Sequence, residues 1–255
     1  KKDGSLMKKI LIRADDLGYS EGVNYGIAKS VKEGIIKSVG VMSNMPTVAH
    51  GLKLLEGVDV CLGQHTNICV GKPLVDPSLI PSITNEHGEF KSSKEYRSAK
   101  EDFVVLDEVI LEIEAQYERF VELTGRQPQY FEGHAVSSKN FFKGLEIVAN
   151  RHGLKYNGMA PGSEPMMVGN TMVYMWMDSM NPDYDPEKLL KDMVMHAHDG
   201  AADVMVCHPG YLDGYILKHS SLTIPRTMEV DMACDPAIKQ WLKEQDVMQI
   251  TYEDL

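Results

Sequence analysis

The chain has 255 residues, 43% hydrophobic and 25% charged, with a formal net charge of −11. That length suits one large α/β domain or two small ones, with apolar residues enough for a sizeable core. The acidic balance argues against a nucleic-acid surface, which needs a basic stripe to meet phosphates.

In chain order, short apolar runs alternate with segments of helical period. Residues 8–16 form an apolar run ending in Asp15-Asp16, and residues 22–34 read as a helix stopped by Gly34. A second strand is expected over 38–46, a helix over 48–57 and a third strand over 58–65, ending in His65. Residues 66–100 break the rhythm with Gly, Pro, Ser and charge; so long an irregular stretch inside a domain is usually functional. Helical period returns over 101–124, where Val105, Val109, Ile113, Tyr117, Phe120 and Leu123 recur every three or four residues. Gly125 ends that helix.

A fourth strand is expected over 129–134, a helix over 142–153, a weak fifth strand over 154–158 and a sixth over 170–178. Residues 185–200 read as a helix with Asp185 as its N-cap and Pro186 at its first position. A strand over 202–210 carries His208, residues 211–233 read as irregular, and a helix over 235–245 and a strand over 247–251 close the chain. Such alternation implies a parallel sheet with crossover helices. Seven or eight units in this length match a closed (β/α) barrel, with an open doubly wound sheet as the alternative. Residues 7–255 are expected to form one domain, with 1–6 an extension set aside from the fold.

Several classes lack support. No apolar run reaches the roughly 20 residues that span a bilayer. The N-terminus has no apolar signal core, so cytoplasmic residence is expected. Cys61, Cys69, Cys207 and Cys234 form no CxxC pair, and buried reduced thiols are expected. Phosphate-loop, dinucleotide, HExxH zinc and GxSxG signatures are all missing. The methionines between 159 and 180 read as packing rather than a metal or haem site. His50, His152, His196, His198 and His219 read as surface or structural groups, and His87 as a loop residue able to touch substrate.

In barrels and open parallel sheets, sites lie at the carboxyl ends of strands. There stand Asp15, Asp16, Asn44, His65, Glu132, His134 and His208. One carboxylate with two imidazoles makes a site that leaves positions open for water and substrate. Asp16, His65 and His134 are therefore candidate metal ligands, Asp15 the candidate base and His208 the candidate acid. Asn44, Arg13 and Glu132 are candidate substrate contacts. In an extended strand Asp15 and Asp16 would face opposite ways, so the chain must turn there, and Gly18 is expected to supply the turn.

The segment RADDLGYSEGVNYGI (13–27) resembles the opening motif of the YdjC-type carbohydrate deacetylases, NADDFG-S-GVN-GI. SNMP (43–46), GQHTNI (63–68), GKPL (71–74), FVELTGRQP (120–128), FEGH (131–134) and CHPGYLD (207–213) continue the resemblance in family order. It implies a distorted (β/α) TIM-like barrel that hydrolyses the N-acetyl group of an amino sugar, such as an acetylated chito-oligosaccharide, phosphorylated or not. It implies a divalent ion, Mg²⁺ or Zn²⁺, and a homodimer. By position Asp15 falls on the family's base, Asp16, His65 and His134 on its metal ligands, and His208 on the histidine of its HPG-type motif.

Three positions depart from the pattern. The opening Asn is Arg13, which shares a strand face with Asp15 and is expected to pair with it and lower its pKa. The Asp before GH is Glu132, and GHxHVH reads GHAVSS, with Val136 and Ser138 in place of two histidines. Two other readings follow: a glycosidase or phosphoesterase on the same barrel, and a sugar-binding protein without catalysis.

Overall fold

The computed structural model describes residues 7–159 and 164–255, so the extension over 1–6 lies outside it. Its elements are β1 (Lys9–Leu17), α1 (Glu21–Lys32), β2 (Ser38–Val41), α2 (Val48–Leu54), β3 (Cys61–Thr66), α3 (Ser93–Ser98), α4 (Leu106–Thr124), β4 (Phe131–Gly133) and α5 (Lys139–Arg151). Then come β5 (Met166–Val168), β6 (Thr171–Trp176), α6 (Pro186–Met195), β7 (Ala202–Cys207), α7 (Gly214–His219), α8 (Ile224–Cys234), α9 (Pro236–Lys243) and β8 (Met248–Gln249).

The sheet runs β4-β3-β2-β1-β7-β6-β5, with β8 pairing the first residues of β1. Every pair is parallel except the β5–β6 hairpin. It curls into a half-barrel with helices against its outer face, the distorted barrel expected. Side-chain alternation on β1 shows why. Ile10, Ile12 and Ala14 belong to the large apolar core shared with the helices, whereas Leu11 packs inside the curl with Tyr130, Val173, Val204, Val206 and Tyr252. Arg13 and Asp15 continue the Leu11 face toward the carboxyl end. Tyr252 and Leu255 plug the opposite end, with Tyr252 stacked on Tyr130 at 3.9 Å.

Four expectations change. Residues 211–233 are not irregular but contain α7 and α8. The buried residues of α8 include Arg226 and Glu229 among Val230, Met232 and Ala233, so charge interrupts the apolar period that would have marked it. Residues 154–158 form no strand, only a parallel bridge between Tyr156 and Phe131. β5 was not anticipated, because three residues, one of them an exposed methionine, carry too little pattern. The helix expected over 185–200 stops at Met195; its Asp185 cap and first-turn proline are in place.

The expected bystanders have structural partners. His50 meets Asn24, His152 bonds Glu114 and stacks on Tyr117, and His198 pairs with buried Asp203. His87 lies exposed beside Glu86. All four cysteines are free. Among the described residues no helix is long and apolar enough to cross a membrane.

Candidate active site

Asp15 and Asp16 stand where β1 breaks register with β2, between Ala14 and Leu17. The turn lies at Asp16 itself, whose φ of +84° is left-handed, and Gly18 follows at +103°. A left-handed aspartate costs backbone energy and persists only where surrounding contacts hold it. The turn brings both carboxylates to one site instead of opposite faces. Ala135, just after His134, is the only other described non-glycine residue with positive φ, at +49°.

Three donor atoms converge. Asp16 Oδ1 lies 3.0 Å from His65 Nε2 and 3.0 Å from His134 Nδ1. The two imidazole nitrogens are 2.9 Å apart. Donors at right angles about 2.1 Å from a common ion stand about 3 Å apart, so this triangle fits one small divalent cation. His65 comes from β3 and His134 from the end of β4, whose register pairs His65 with Glu132. His65 Nδ1 makes a short hydrogen bond to Glu132 Oε1. That bond orients the ring so that Nε2 faces the triangle, the usual arrangement behind a metal-bound histidine. Gly40 makes room: a Cβ there would stand 3.0 Å from the His65 Cβ and 3.2 Å from Glu132 Oε1.

Arg13 lies beneath, 5% exposed. Its Nε and Nη2 donate to the two oxygens of Asp15 at 2.7 and 3.0 Å, and Nη2 also reaches Glu132 at 3.4 Å. Its Nη1 donates to the Tyr252 hydroxyl at 2.9 Å. A second group of donors, Asp15, His65 and Glu132, is also close enough to surround an ion. Its two carboxylates already share the Arg13 guanidinium, so a further cation there would meet a charge already in place. Burial opposes ionisation of Asp15, but Arg13 and His65 outweigh it and hold the carboxyl below its usual range. Burial likewise opposes charge on Asp16, but His134 and Arg226 hold it well below its usual range.

Arg226, from α8, is a residue the sequence did not reveal. It is 2% exposed and donates through Nη1 to Asp16 Oδ2 at 2.8 Å. Three carboxylates (Asp15, Asp16, Glu132) and two guanidiniums (Arg13, Arg226) therefore share one buried cluster with an excess negative charge. Buried charges persist only when paired and hydrogen-bonded, and this excess favours a cation. Without one, the site attracts protons: burial lowers the affinity of His134 for a proton, but Asp16 raises it to a pKa of about 9.

His208 lies across the cluster, its Nε2 4.0 Å from Asp15 Oδ2. Its Nδ1 meets Ser179 Oγ at 3.2 Å, and its backbone N–H donates to Glu229 at 3.0 Å. Burial pulls its pKa down to about 4, so the ring is neutral at pH 7. The HPG turn packs tightly on α1, where a Cβ on Gly26 would come within 2.4 Å of the Gly210 Cα.

Asn44, an expected substrate contact, and the departures Val136 and Ser138 have structural tasks. Asn44 donates to the carbonyls of Val70 and Lys72 and accepts from Asn67, tying down the loop after β3. Val136 is buried, and Ser138 caps α5 while donating to Asp102. The stretch where the resemblance has two more histidines is thus a packed wall and a helix cap.

The YdjC-like protein model matches residues 9–244. "Carbohydrate deacetylase 2" of Listeria innocua is 29% identical, covering 97% of this chain and 98% of that protein. "Chitooligosaccharide deacetylase" of Escherichia fergusonii is 27% identical, covering 96% of this chain and 98% of that protein. A crystal structure from Enterococcus faecalis, described as a candidate cellobiose-phosphate cleavage protein, superposes with a TM-score of 0.84 at 22% identity. It covers 97% of this chain and 98% of its own, and shows the fold. With a family model matched from β1 through the last helix, this chain belongs to the YdjC-like family.

Proposed function

We propose that this chain is a metal-dependent carbohydrate deacetylase that hydrolyses the N-acetyl group of an amino sugar. The observation that carries the reading is the triangle of Asp16 Oδ1, His65 Nε2 and His134 Nδ1, with edges of 2.9–3.0 Å, flanked by Asp15 and His208. The names of the full-length relatives support the reaction and an acetylated chito-oligosaccharide as substrate. Asp16, His65 and His134 would hold a divalent ion, Mg²⁺ or Zn²⁺. When bound, such an ion lowers the pKa of water and polarises an acyl oxygen.

The remaining chemistry belongs to the chain. Asp15 takes the proton of the attacking water. Arg13 fixes the position of that carboxylate and, by stabilising its charge, moderates its basicity. His208 protonates the departing amine. Because its ring rests neutral, the proton it delivers is supplied within the cycle, and Asp15, 4.0 Å away, is the neighbouring carrier. Ser179 holds the ring by Nδ1, leaving Nε2 for the transfer. Glu132 keeps His65 in its donating tautomer, and Arg13 and Glu132 form the floor under the substrate. Asn44 shapes the substrate wall by holding the loop after β3. We take residues 7–255 as one catalytic unit, acting in the cytoplasm as a homodimer.

The test is acetate release from N-acetylated chito-oligosaccharides, assayed alongside new reducing ends. Acetate should appear without chain cleavage, stop on chelation and return with added divalent ion. Acetate release that survives both chelation and Asp15→Asn sinks the reading; new reducing ends without acetate would point to a glycosidase.

A further inference from the structure

We propose that two buried arginines sort the adjacent carboxylates, and that Arg226 restricts Asp16 to binding the ion through Oδ1 alone. The inference rests on the reading above that Asp16 is a metal ligand. The two carboxylates are neighbours in sequence, yet their oxygens are engaged differently. Arg13 occupies both oxygens of Asp15, at 2.7 and 3.0 Å, and withdraws it from the ion. Arg226 occupies only Oδ2 of Asp16, at 2.8 Å, while Oδ1 faces both histidine nitrogens at 3.0 Å.

Arg226 is not free to swing away. Its Nε donates to the Leu222 carbonyl at 2.8 Å, its Nη2 to Ser220 Oγ at 3.3 Å, and its guanidinium sits 5.5 Å from the centre of the Tyr19 ring. Its own carbonyl accepts the Gly210 N–H at 3.2 Å, so the helix carrying it is tied to the HPG turn. A carboxylate with both oxygens free can chelate an ion and take two positions. Capping Oδ2 removes that option and keeps one more position open for water or the acetyl oxygen. It also places a positive charge behind the ligand, which weakens ion binding. Arg226 is thus a positioning residue that trades affinity for an open site.

Mn²⁺ binding to the full chain tests this, with affinity read by calorimetry and exchangeable waters on the ion by water-proton relaxation. Arg226→Met removes both charge and cap. It should bind Mn²⁺ about tenfold more tightly or better, as expected for losing a like charge nearby, with one fewer exchangeable water. Arg226→Gln removes the charge but keeps an N–H for Oδ2. It should bind more tightly with the water count unchanged. Affinity equal to or weaker than wild type in Arg226→Gln overturns the inference, even if Arg226→Met does not fold. So does an unchanged water count in a folded Arg226→Met. Asp16→Asn separates the two readings. If Mn²⁺ uptake survives it, the ligand assignment itself fails; if uptake is lost but the Arg226 variants behave as wild type, only the sorting by Arg226 fails.

Discussion

The two halves of the sheet contribute to the site in different ways. From β1 to β4 the strands are parallel, and the donor triangle comes from β1, β3 and β4. Beyond β4 the pattern loosens: β5 and β6 form an antiparallel hairpin, and only β7 delivers a reactive group, His208. The other contribution of that half, Arg226, comes from a helix. The first half places the triangle donors by strand register, with Asp15 and Glu132 beside them; the second adds His208 across the site and Arg226 behind Asp16. Loss of a triangle donor should therefore strike ion uptake, and loss of His208 should strike the steps that follow.

The largest effect should come from the donor triangle. His65→Ala or Asp16→Asn should abolish ion uptake and lower kcat/KM by roughly three orders of magnitude or more, since several kcal/mol of stabilisation go with the ion. Metal content by mass spectrometry and acetate release measure the two together. His208→Gln should be next, lowering kcat by about 10²–10⁴ while leaving metal content unchanged. Loss of metal in His208→Gln would erase the distinction between the halves. Glu132→Gln should weaken ion affinity by about 10–100-fold, the usual consequence of disturbing the partner of a ligating histidine. That places Glu132 with the first half's function although it touches no ion.

The same division governs what could be read from the sequence. Asp15, Asp16, His65 and His134 were visible because each follows an apolar run, and strand ends are where sites lie. The left-handed backbone at Asp16 was foreseen only as a turn assigned to Gly18; nothing in residue types shows that an aspartate will take it. Arg226 and Glu229 were invisible for a physical reason. They are charged residues buried on a helix face, so they remove the periodicity that would reveal the helix carrying them. Arg13 was the exception, since two-residue spacing on a strand put it beside Asp15, where the bidentate pair stands.

Proton linkage couples the donor triangle to pH. Asp16 holds the His134 pKa at about 9 in the ion-free site against the opposing effect of burial. Ion binding must displace that proton. Affinity should therefore rise with pH from 6 toward 9, and calorimetry in buffers of different ionisation enthalpy should show proton release on binding. A pH-independent affinity would mean that His134 is already unprotonated before the ion arrives.

The smallest effect concerns a part of the first half that does not touch the triangle. Glu112, buried on α4, accepts the backbone N–H groups of Leu74 and Val75 and the Gln116 amide, pinning the long loop after β3. Burial pushes its pKa up to about 7, although those donors pull the other way. The folded chain thus holds a proton on Glu112 that the unfolded chain, with an ordinary carboxyl near 4.3, has released. Folding stability from this group is full below that lower value and is lost as pH rises to about 7. At 1.36 kcal/mol per unit the loss is at most about 4 kcal/mol. Glu229, also near 7, adds a slope of the same sign. Glu112→Gln should remove only its own share, flattening the denaturation midpoint against pH while acetate release stays near wild type. An unchanged slope would show that the donors around Glu112 keep it ionised in the folded chain. A large loss of turnover would show that the loop it pins belongs to the reacting site.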